Sequence, residues 1–362
     1  MEYQLKTRQI CFFFIAFLPI IKFFMLPSIL AGISGEDMWL SALFSFSLDG
    51  ITLAVLLVFC KRTNNDYFTL LEQNFSKNTA KIVYVIYAVY FFLKSLLPII
   101  EQKEYIELSL YLNNPSFLYF APLIIVCFYL CLKHLRILGR VSDILWWISL
   151  VGIFFVLGLS ISNVDFSAIL PIGAQGFNRI FKGSYTTLNW FGDAVYLLFF
   201  AGKFNYEKKD GVKIGLSYFT ACFCAFIFLF FFYGIFTSVA FRQKYSLTEI
   251  SKYSTVINSV GRFDYIGIFC IIISSVFAVS LPIYFCCYTL SKVFSLKRRW
   301  VIPIIVNTLA FGLIQVLGEY VYSIEKFMLN YANIFFFVMG NVLPILTIFL
   351  KIRGKKNEIP TL

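Results

Sequence analysis

The sequence has few charged residues and a single histidine. Asp, Glu, Lys and Arg make up 14% of its 362 residues, whereas a soluble globular domain carries roughly 25%. Hydrophobic residues account for 60% of the chain, and the mean hydropathy is +0.80. This composition excludes an ordinary soluble domain and predicts an all-α polytopic membrane protein that is embedded in the lipid bilayer.

Several chemical motifs are also missing. A Gly-rich phosphate loop of the GxxxxGKS/T type is absent, so an ATP-driven pump is not expected. Eight of the nine cysteines lie inside apolar runs and Cys60 ends another, which is typical of buried small hydrophobes rather than of disulfides or metal ligands. The lone His134 adds no metal-ligand cluster, and no nucleophile–base pair is visible. We therefore predict no enzyme activity, no catalytic residue, no cofactor and no metal.

Ten apolar runs approach the ~20 residues that a helix needs to cross the hydrocarbon core. They cover 9–33, 38–60, 81–101, 117–132, 140–161, 184–203, 213–238, 263–290, 300–318 and 328–350. The loops and span ends on the N-terminal side hold 21 Lys and Arg residues, and the opposite loops hold 8. Because basic residues concentrate in cytoplasmic loops, this bias predicts that both termini are cytoplasmic. It also accounts for the net charge of +12 without a nucleic-acid partner.

Ten spans divide into two sets of five, and an odd number per set inverts the second set in the membrane. This predicts an inverted repeat, with residues 1–162 and 163–350 as its halves. Residues 351–362 then form a basic cytoplasmic tail that contacts anionic lipid. In such folds the first helix of each half is often discontinuous and forms a site at the membrane midplane.

Span 1 contains a lysine between two prolines. Pro19 and Pro27 bracket Lys22, and each proline removes a helical hydrogen bond. The pattern predicts unwinding between the prolines or, as an alternative, two ordinary kinks, since proline is common in membrane helices.

Span 6 has Asn189, Gly192 and Asp193 near its centre, with Gly192 as the predicted helix break. A carboxylate at mid-membrane costs ~3 kcal/mol or more, so Asp193 should face protein or a wet cavity. We hypothesise that Lys22 and Asp193 pair across this cavity or hold the two ends of a zwitterionic ligand. The alternative is a buried pair that only sets the helix register.

Two further charged residues lie well away from the ends of their spans, Asp49 in span 2 and Lys94 in span 3. Together with Asp193 they are candidates for proton or ion coupling. Each also has a simpler interpretation. Lys94 could extend to the interface along its apolar stem, and Asp49 could be protonated and bonded to the Ser45 or Ser47 hydroxyl.

Three other residues complete the predicted ligand site. Phe23 follows Lys22 directly, and Ser274 and Ser275 lie in span 8, the counterpart of span 3 in the second half. The serines are candidates only if span 8 lines the cavity, because serine commonly joins membrane helices to one another.

The order of short motifs along residues 5–350 resembles that of the spore germination permease family. These proteins are the B subunits of nutrient germinant receptors, within the amino acid–polyamine–organocation transporter superfamily. The motifs are Gln9 before span 1, Pro27 before Glu36-Asp37-Met38-Trp39, Leu170-Pro171-Ile172 before Gly176 and Gly183, Phe191-Gly192-Asp193, and Gly261-Arg262-Phe263-Asp264. This sequence departs from the pattern at Gly261, where an acid is usual, and at Asp193, where Glu is more usual.

The resemblance implies a five-plus-five inverted repeat of the leucine-transporter type, with Trp39, Pro171, Arg262 and Asp264 as structural motif residues. It implies recognition of a small nutrient, commonly an amino acid, at a midplane site between helices 1 and 6. The expected location is the inner membrane of a bacterial spore. The expected partners are the receptor A subunit, a membrane protein with a soluble domain, and a lipoprotein C subunit. A proton-coupled amino acid permease and a partner-gated ion or water conduit are the alternatives.

Overall fold

The computed structural model describes residues 5–63, 65–110, 116–252, 264–294, 298–316 and 320–350. These residues are almost entirely helical, and Leu5 and Phe204 form an isolated parallel bridge. The α-helices are α1 Thr7–Phe17, α2 Leu26–Ser34, α3 Met38–Arg62, α4 Tyr67–Asn74, α5 Lys77–Leu110, α6 Ser116–Cys131, α7 Leu135–Ser160, α8 Phe177–Thr186, α9 Tyr196–Phe200, α10 Asp210–Phe236, α11 Ser246–Lys252, α12 Asp264–Phe294, α13 Val301–Val316, α14 Val321–Asn330, α15 Asn333–Phe337 and α16 Leu343–Leu346.

Within these described residues, five helical stretches are long and apolar enough to cross a membrane, and a sixth is reached if one pair bent by 58° counts as a single span. The five are Leu26–Arg62, Lys77–Glu104, Leu135–Asn163, Asp210–Arg242 and Ile266–Phe294, and the bent pair is Tyr322–Asn330 with Asn333–Phe349. Shorter apolar helices occupy Pro122–Cys131, Leu188–Phe200 and Val301–Gln315. An integral membrane protein follows from these helices, while the count of ten spans stays a prediction.

The first predicted span is broken in the middle. Helix α1 ends at Phe17, a short 3₁₀ turn covers Ile20–Lys22, and α2 begins at Leu26. Pro27 lies in the first turn of α2, where a helix does not need the missing N–H. The two prolines therefore flank an unwound segment, and the alternative of two kinks in a continuous helix is wrong.

The sixth predicted span is broken as well. Helix α8 ends at Thr186 and α9 begins only at Tyr196, with 3₁₀ turns at Leu188–Trp190 and Asp193–Val195 between them. Gly192 has φ +78°, a left-handed conformation that costs a residue with a Cβ about 1–2 kcal/mol. The predicted continuous run 184–203 is thus interrupted at the residue that the sequence indicated as a break.

The surrounding helices enclose both breaks. Helix α12 packs along α5 and α7, and α1 packs along α7 and α10. All residues from 13 to 28 and from 187 to 201 are buried. Aromatic rings fill the interior next to the breaks, including Phe17 against Tyr196 with centroids 5.0 Å apart and Phe91 against Tyr196 at 5.5 Å.

The turn between α2 and α3 binds the loop that precedes α8. Asp37 accepts hydrogen bonds from the backbone N–H groups of Gly173 (2.7 Å) and Gln175 (3.0 Å). Two motif residues flank this contact: Trp39 packs its ring against Phe226 and Phe230 of α10, and the exposed Pro171 lies in the loop itself. Arg262 lies outside the described residues, and Asp264 is the first residue of α12.

Candidate functional site

Two lysines and an aspartate meet where the broken spans cross. Lys22 Nζ lies 2.5 Å from Asp193 Oδ2, and Lys94 Nζ lies 3.0 Å from Asp193 Oδ1. The exposed fractions of the three side chains are 1%, 3% and 0% for Lys22, Lys94 and Asp193. Each oxygen of one buried carboxylate therefore has its own ammonium partner. The predicted pair of Lys22 with Asp193 is present, and it includes a third member.

Asp49 binds the backbone of the break in the sixth span. Its carboxylate accepts the Gly192 N–H, with both oxygens at 2.9 Å, the Asp193 N–H at 3.3 Å and the Tyr218 hydroxyl at 3.1 Å. A helix break leaves N–H groups without partners, and in a dry interior they need an acceptor. Asp49 supplies that acceptor.

The local interpretation of Asp49 is wrong. Ser45 bonds to the Ser184 hydroxyl and the Ser41 carbonyl, while Ser47 bonds to the Leu43 carbonyl. The hydroxyls of these serines form hydrogen bonds with other groups, and the Asp49 carboxylate accepts hydrogen bonds from the backbone at the break instead.

Lys94 does not extend to the interface, so that interpretation is also wrong. Its ammonium donates to the Phe191 carbonyl in addition to its pairing with Asp193. Lys22 donates to the Leu18 carbonyl at 3.2 Å. The lysines thus bind carbonyl oxygens at the breaks and Asp49 binds N–H groups. We call Lys22, Asp49, Lys94 and Asp193 the central charged group, which contains two basic and two acidic side chains.

The backbone at Gly192 is crowded on one side by a second glycine. A Cβ added at Gly192 would lie 3.1 Å from Tyr90 Oη and 3.2 Å from Gly340 Cα. Gly340 lies in a π-helical turn, Val338–Val342, and such turns inside helices frequently occur at functional sites. Next to it, Asn341 Oδ1 accepts a hydrogen bond from Thr52 of α3 at 2.8 Å. The tenth predicted span therefore contacts the break directly.

A small cavity adjoins the central charged group. Its volume is about 10 Å³, room for about one water molecule. Asn189 lines this cavity together with Lys94, and its buried Oδ1 lacks a hydrogen-bond partner among the described residues. The neighbouring Trp190 donates its Nε1–H to Glu101 Oε1 at 2.9 Å. The site is closed, with an unsatisfied amide oxygen beside it.

The other predicted ligand-site residues point elsewhere. Phe23 stacks on Phe228 of α10 at 4.2 Å. Ser274 Oγ lies 2.8 Å from Ser149 Oγ on α7, and Ser275 donates to the Ile272 carbonyl of its own helix. The Ser274 contact joins helices, which is the alternative that the sequence left open for these serines.

Tyr90, Tyr218, Glu101 and Gly340 belong to the surroundings of the breaks but were not predicted. Tyrosines are abundant in this chain, with 22 in all, so two of them carry no distinguishing pattern. Glu101 ends the predicted third span, where an acid is ordinary. The Gly340-Asn341 pair within an apolar run was the one pattern that could have indicated a special backbone position.

A second charged group lies at the end of the molecule where Leu5 bonds to Lys203. Asp66 Oδ2 lies 2.8 Å from Lys292 Nζ and 3.7 Å from Lys203 Nζ, and Oδ1 caps α4 at the Thr69 N–H. Burial alone would raise the pKa of Asp66, but hydrogen bonds from Lys292 and Thr69 outweigh it and lower that pKa to about 2. We call Asp66, Lys203 and Lys292 the Asp66 group.

Metal coordination has no visible centre in the part of the chain that the structure describes. No group of three or more His, Cys, Asp or Glu residues there could hold a metal ion. The arrangement around the breaks is instead one of ammonium, carboxylate and backbone groups, which suits binding of a small polar molecule or coupling to protons.

Solved structures with a similar fold are membrane transporters of the leucine-transporter type. Two mutants of the manganese transporter of Eremococcus coleocola superpose with TM-scores of 0.61 and 0.60. The same transporter in complex with an aromatic bis-isothiourea compound gives 0.51. The superpositions cover 94–95% of this chain and 78% of those chains, at 10–11% identity. At that identity the likeness establishes the fold and nothing about the substrate.

The sequence identifies the family. The family described as "Spore germination protein" matches residues 4–319, and the chain belongs to it. A curated relative, spore germination protein XB of Bacillus anthracis, is 24% identical over 212 residues, which are 58% of this chain. The match spans 57% of that relative's length, a little over half. The family and the structural neighbours are germination proteins and transporters rather than enzymes.

Proposed function

We propose that this chain is the membrane subunit of a spore nutrient germinant receptor and binds a small nutrient between its two broken spans. The observation that carries the proposal is the central charged group, whose two basic and two acidic side chains are buried and lie at both breaks. Buried ionisable groups in membrane proteins are costly and mark functional sites. Family membership supports the link to germination, and the transporter fold supports a midplane site.

The chemistry fits an amino acid. A zwitterion carries an ammonium that suits Asp193 and a carboxylate that suits Lys22 or Lys94. It could replace the internal pairs one for one, so that no buried charge would be left without a partner. Asn189, with its unsatisfied amide oxygen, is placed to accept a hydrogen bond from the same ligand.

The closed cavity explains how binding would become a trigger. A space of about 10 Å³ is far too small for an amino acid, so the breaks must open for a ligand to enter. Ligand binding would then select an opened arrangement of α1–α2 and α8–α9 over the closed one. We propose that this change passes to an A subunit with a soluble domain and to a lipoprotein C subunit.

The proposal includes the membrane topology. The chain would cross the spore inner membrane ten times, with residues 1–162 and 163–350 as inverted halves and residues 351–362 as a basic tail. Both termini would be cytoplasmic, as the basic loops indicate. Two of the ten crossings would be the broken spans, each built from two shorter helices, α1 with α2 and α8 with α9.

A deletion strain of the source organism tests the proposal. Its spores should fail to germinate on at least one nutrient from a panel of single amino acids and sugars, and a plasmid copy of the chain should restore the response. Copies with Asp193→Asn or Lys22→Met should not restore it although the protein is present in the membrane. Lys61→Gln, which changes an exposed lysine, is the matched control and should restore it.

A proton-coupled amino acid transporter is the second candidate, favoured by the fold shared with solved transporters. Uptake of a labelled amino acid into liposomes that contain the purified chain alone would support it. Normal germination of the deletion strain on every nutrient, together with such uptake, would overturn the receptor proposal.

A further inference from the structure

A second, much larger cavity opens at the end of the molecule that carries the Asp66 group. Its volume is about 690 Å³, within the range of small-molecule sites, roughly 300–1,000 Å³. It lies between the ends of α6, α7, α12 and α13, and it plays no part in the proposed nutrient site. Seven of its lining residues are basic: Lys133, His134, Arg136, Lys203, Lys292, Arg298 and Arg299.

The positive charge of this basic cavity is only partly compensated. None of its lining residues in the described part of the chain is acidic. Asp66 lies next to the cavity and pairs with Lys292 and Lys203. One carboxylate thus balances one of the two lysine charges, and in the described part of the chain no carboxylate pairs with Lys133, Arg298 or Arg299.

These three cations contact the rings of a tyrosine, a tryptophan and a histidine. Lys133 Nζ lies 4.4 Å from the Tyr129 ring centroid, and the Arg298 guanidinium lies 6.0 Å from the Trp300 ring. Arg299 Nη1 lies 3.2 Å from His134 Nε2. Such contacts orient the side chains and leave their charge available to an anion.

The mouth of the basic cavity is suited to the surface of a bilayer. Leu132 and Trp300 are 36% and 48% exposed beside it, and tryptophan is enriched at the level of lipid headgroups. Tyr284, Ile302 and Pro303 form an apolar inner wall. The basic residues therefore line a cavity that also has exposed apolar side chains beside it.

We propose that the basic cavity binds a phosphate group. An arginine guanidinium can form bidentate hydrogen bonds with phosphate oxygens, and a lysine adds a point charge, so arginines and lysines that line one cavity suit phosphate binding. Basic pockets between membrane helices on the cytoplasmic side are typical sites for anionic phospholipid headgroups. The phosphate group belongs either to such a lipid or to a soluble phosphate, and both sources share the chemistry that the cavity recognises.

Purified full-length protein in phosphatidylcholine nanodiscs, with or without phosphatidylglycerol, tests the proposal. The variant Lys133→Gln/Arg298→Gln/Arg299→Gln removes three cavity charges and keeps the Asp66 group intact. The matched control Lys61→Gln/Lys208→Gln/Lys209→Gln removes three exposed charges outside the cavity. Native mass spectrometry measures the retained phosphatidylglycerol relative to phosphatidylcholine. We expect the cavity variant to lose at least about tenfold of this preference and the control to keep it.

Inorganic phosphate, added to protein in pure phosphatidylcholine, separates the two sources. A rise in melting temperature for the wild type and the control, but not for the cavity variant, would indicate a soluble phosphate. Selective retention of phosphatidylglycerol would indicate a lipid headgroup. Either result supports the cavity as a phosphate site.

The single variant Arg298→Gln tests the proposal independently if the triple variant does not fold. It alters one exposed side chain and should weaken the same preference about threefold or more. Equal lipid preference and equal phosphate response in the cavity variants and the control would overturn the proposal.

Discussion

The central charged group and the Asp66 group use the same chemistry in different surroundings. In each, one aspartate pairs with two lysines, and the nearest lysine lies at 2.5 Å in the centre and 2.8 Å at the periphery. In the centre the three side chains are at most 3% exposed, whereas Lys203 and Lys292 are 20% and 34% exposed. Burial, rather than the number of ion pairs, separates the two groups.

That difference has an energetic consequence. Water and salt can solvate a lysine of the Asp66 group when its partner is lost, so such pairs contribute about 1 kcal/mol or less each. A charge left alone in the centre has no such compensation, and breaking a buried pair costs about 3–5 kcal/mol. The central charged group is therefore suited to a ligand that replaces each ion pair. The ion pairs of the Asp66 group, in contrast, can open at small cost.

Asp193→Asn should have the largest effect of the substitutions that test this comparison. It keeps the shape of the side chain and leaves Lys22 and Lys94 with Asp49 as the one remaining buried carboxylate of their group. We expect a loss of about 3–5 kcal/mol in the free energy of unfolding, measured from the thermal midpoint of the purified protein in detergent. Asp165→Asn, at an exposed aspartate, should change it by about 0.5 kcal/mol at most.

The double variant Lys22→Met/Asp193→Asn separates charge from packing. It removes one basic and one acidic side chain together, and it should recover part of the loss because the two positions interact directly. Unfolding of Asp193→Asn at the same temperature as Asp165→Asn would show that the centre tolerates an unpaired lysine.

Glycine substitutions should affect the two groups alike, because backbone crowding does not depend on solvent. Gly192 and Gly202 have φ +78° and +73°. A Cβ at Gly202 would lie 2.5 Å from the Asp66 backbone nitrogen, and one at Gly192 would lie 3.1 Å from Tyr90 Oη. Changing either residue to Ala should cost about 2 kcal/mol or more in the free energy of unfolding.

Gly50→Ala is the matched control for these two variants. Gly50 lies inside α3, and a Cβ there would meet nothing within 4 Å. Alanine is the better helix former by about 1 kcal/mol, so this change should not destabilise the protein. If Gly192→Ala lowered the free energy of unfolding strongly and Gly202→Ala did not, the backbone at Asn65 and Asp66 would have shifted to accept the methyl group.

Asp66→Asn should have the smallest effect, about 1–2 kcal/mol, because asparagine can still cap α4 and solvent screens the two lysines. The effect depends on pH. The pKa of Asp66 is lowered to about 2 in the folded protein and is about 3.9 in an unfolded chain. The stabilisation by the charged carboxylate is thus present above about pH 4 and is lost as the pH falls towards 2.

Thermal midpoints of the wild type and Asp66→Asn at a series of pH values check this sign. The two curves should be separated near neutral pH and converge below about pH 4. High salt should also narrow the gap, since exposed pairs are screened. If the difference between the two thermal midpoints were independent of both pH and salt, the Asp66 group would behave like the buried central charged group rather than like a solvent-screened one.

The sequence was sufficient for one pairing at the site and insufficient for the rest. Lys22 and Asp193 carry opposite charges at matched depth on the two spans that show break residues, so their pairing was predictable. Lys94 was ambiguous because a long apolar stem allows either the interface or the interior, and the choice depends on the rotation of α5 against the sixth span. Asp49 bonds to the N–H of Gly192, which is 143 positions away along the chain.

The sequence by itself determined the membrane class, the family and the places where the two spans break. Hydropathy is a sum over neighbouring residues, and the steric effects of Pro19, Pro27 and Gly192 act on the local backbone, so both can be read along the chain. Only the tertiary structure decided that Lys94 shares Asp193 with Lys22, that Gly340 contacts Gly192, and that Ser274 faces α7. Such contacts depend on how distant helices rotate and approach one another, because ion pairing and close packing act over a few ångströms in space.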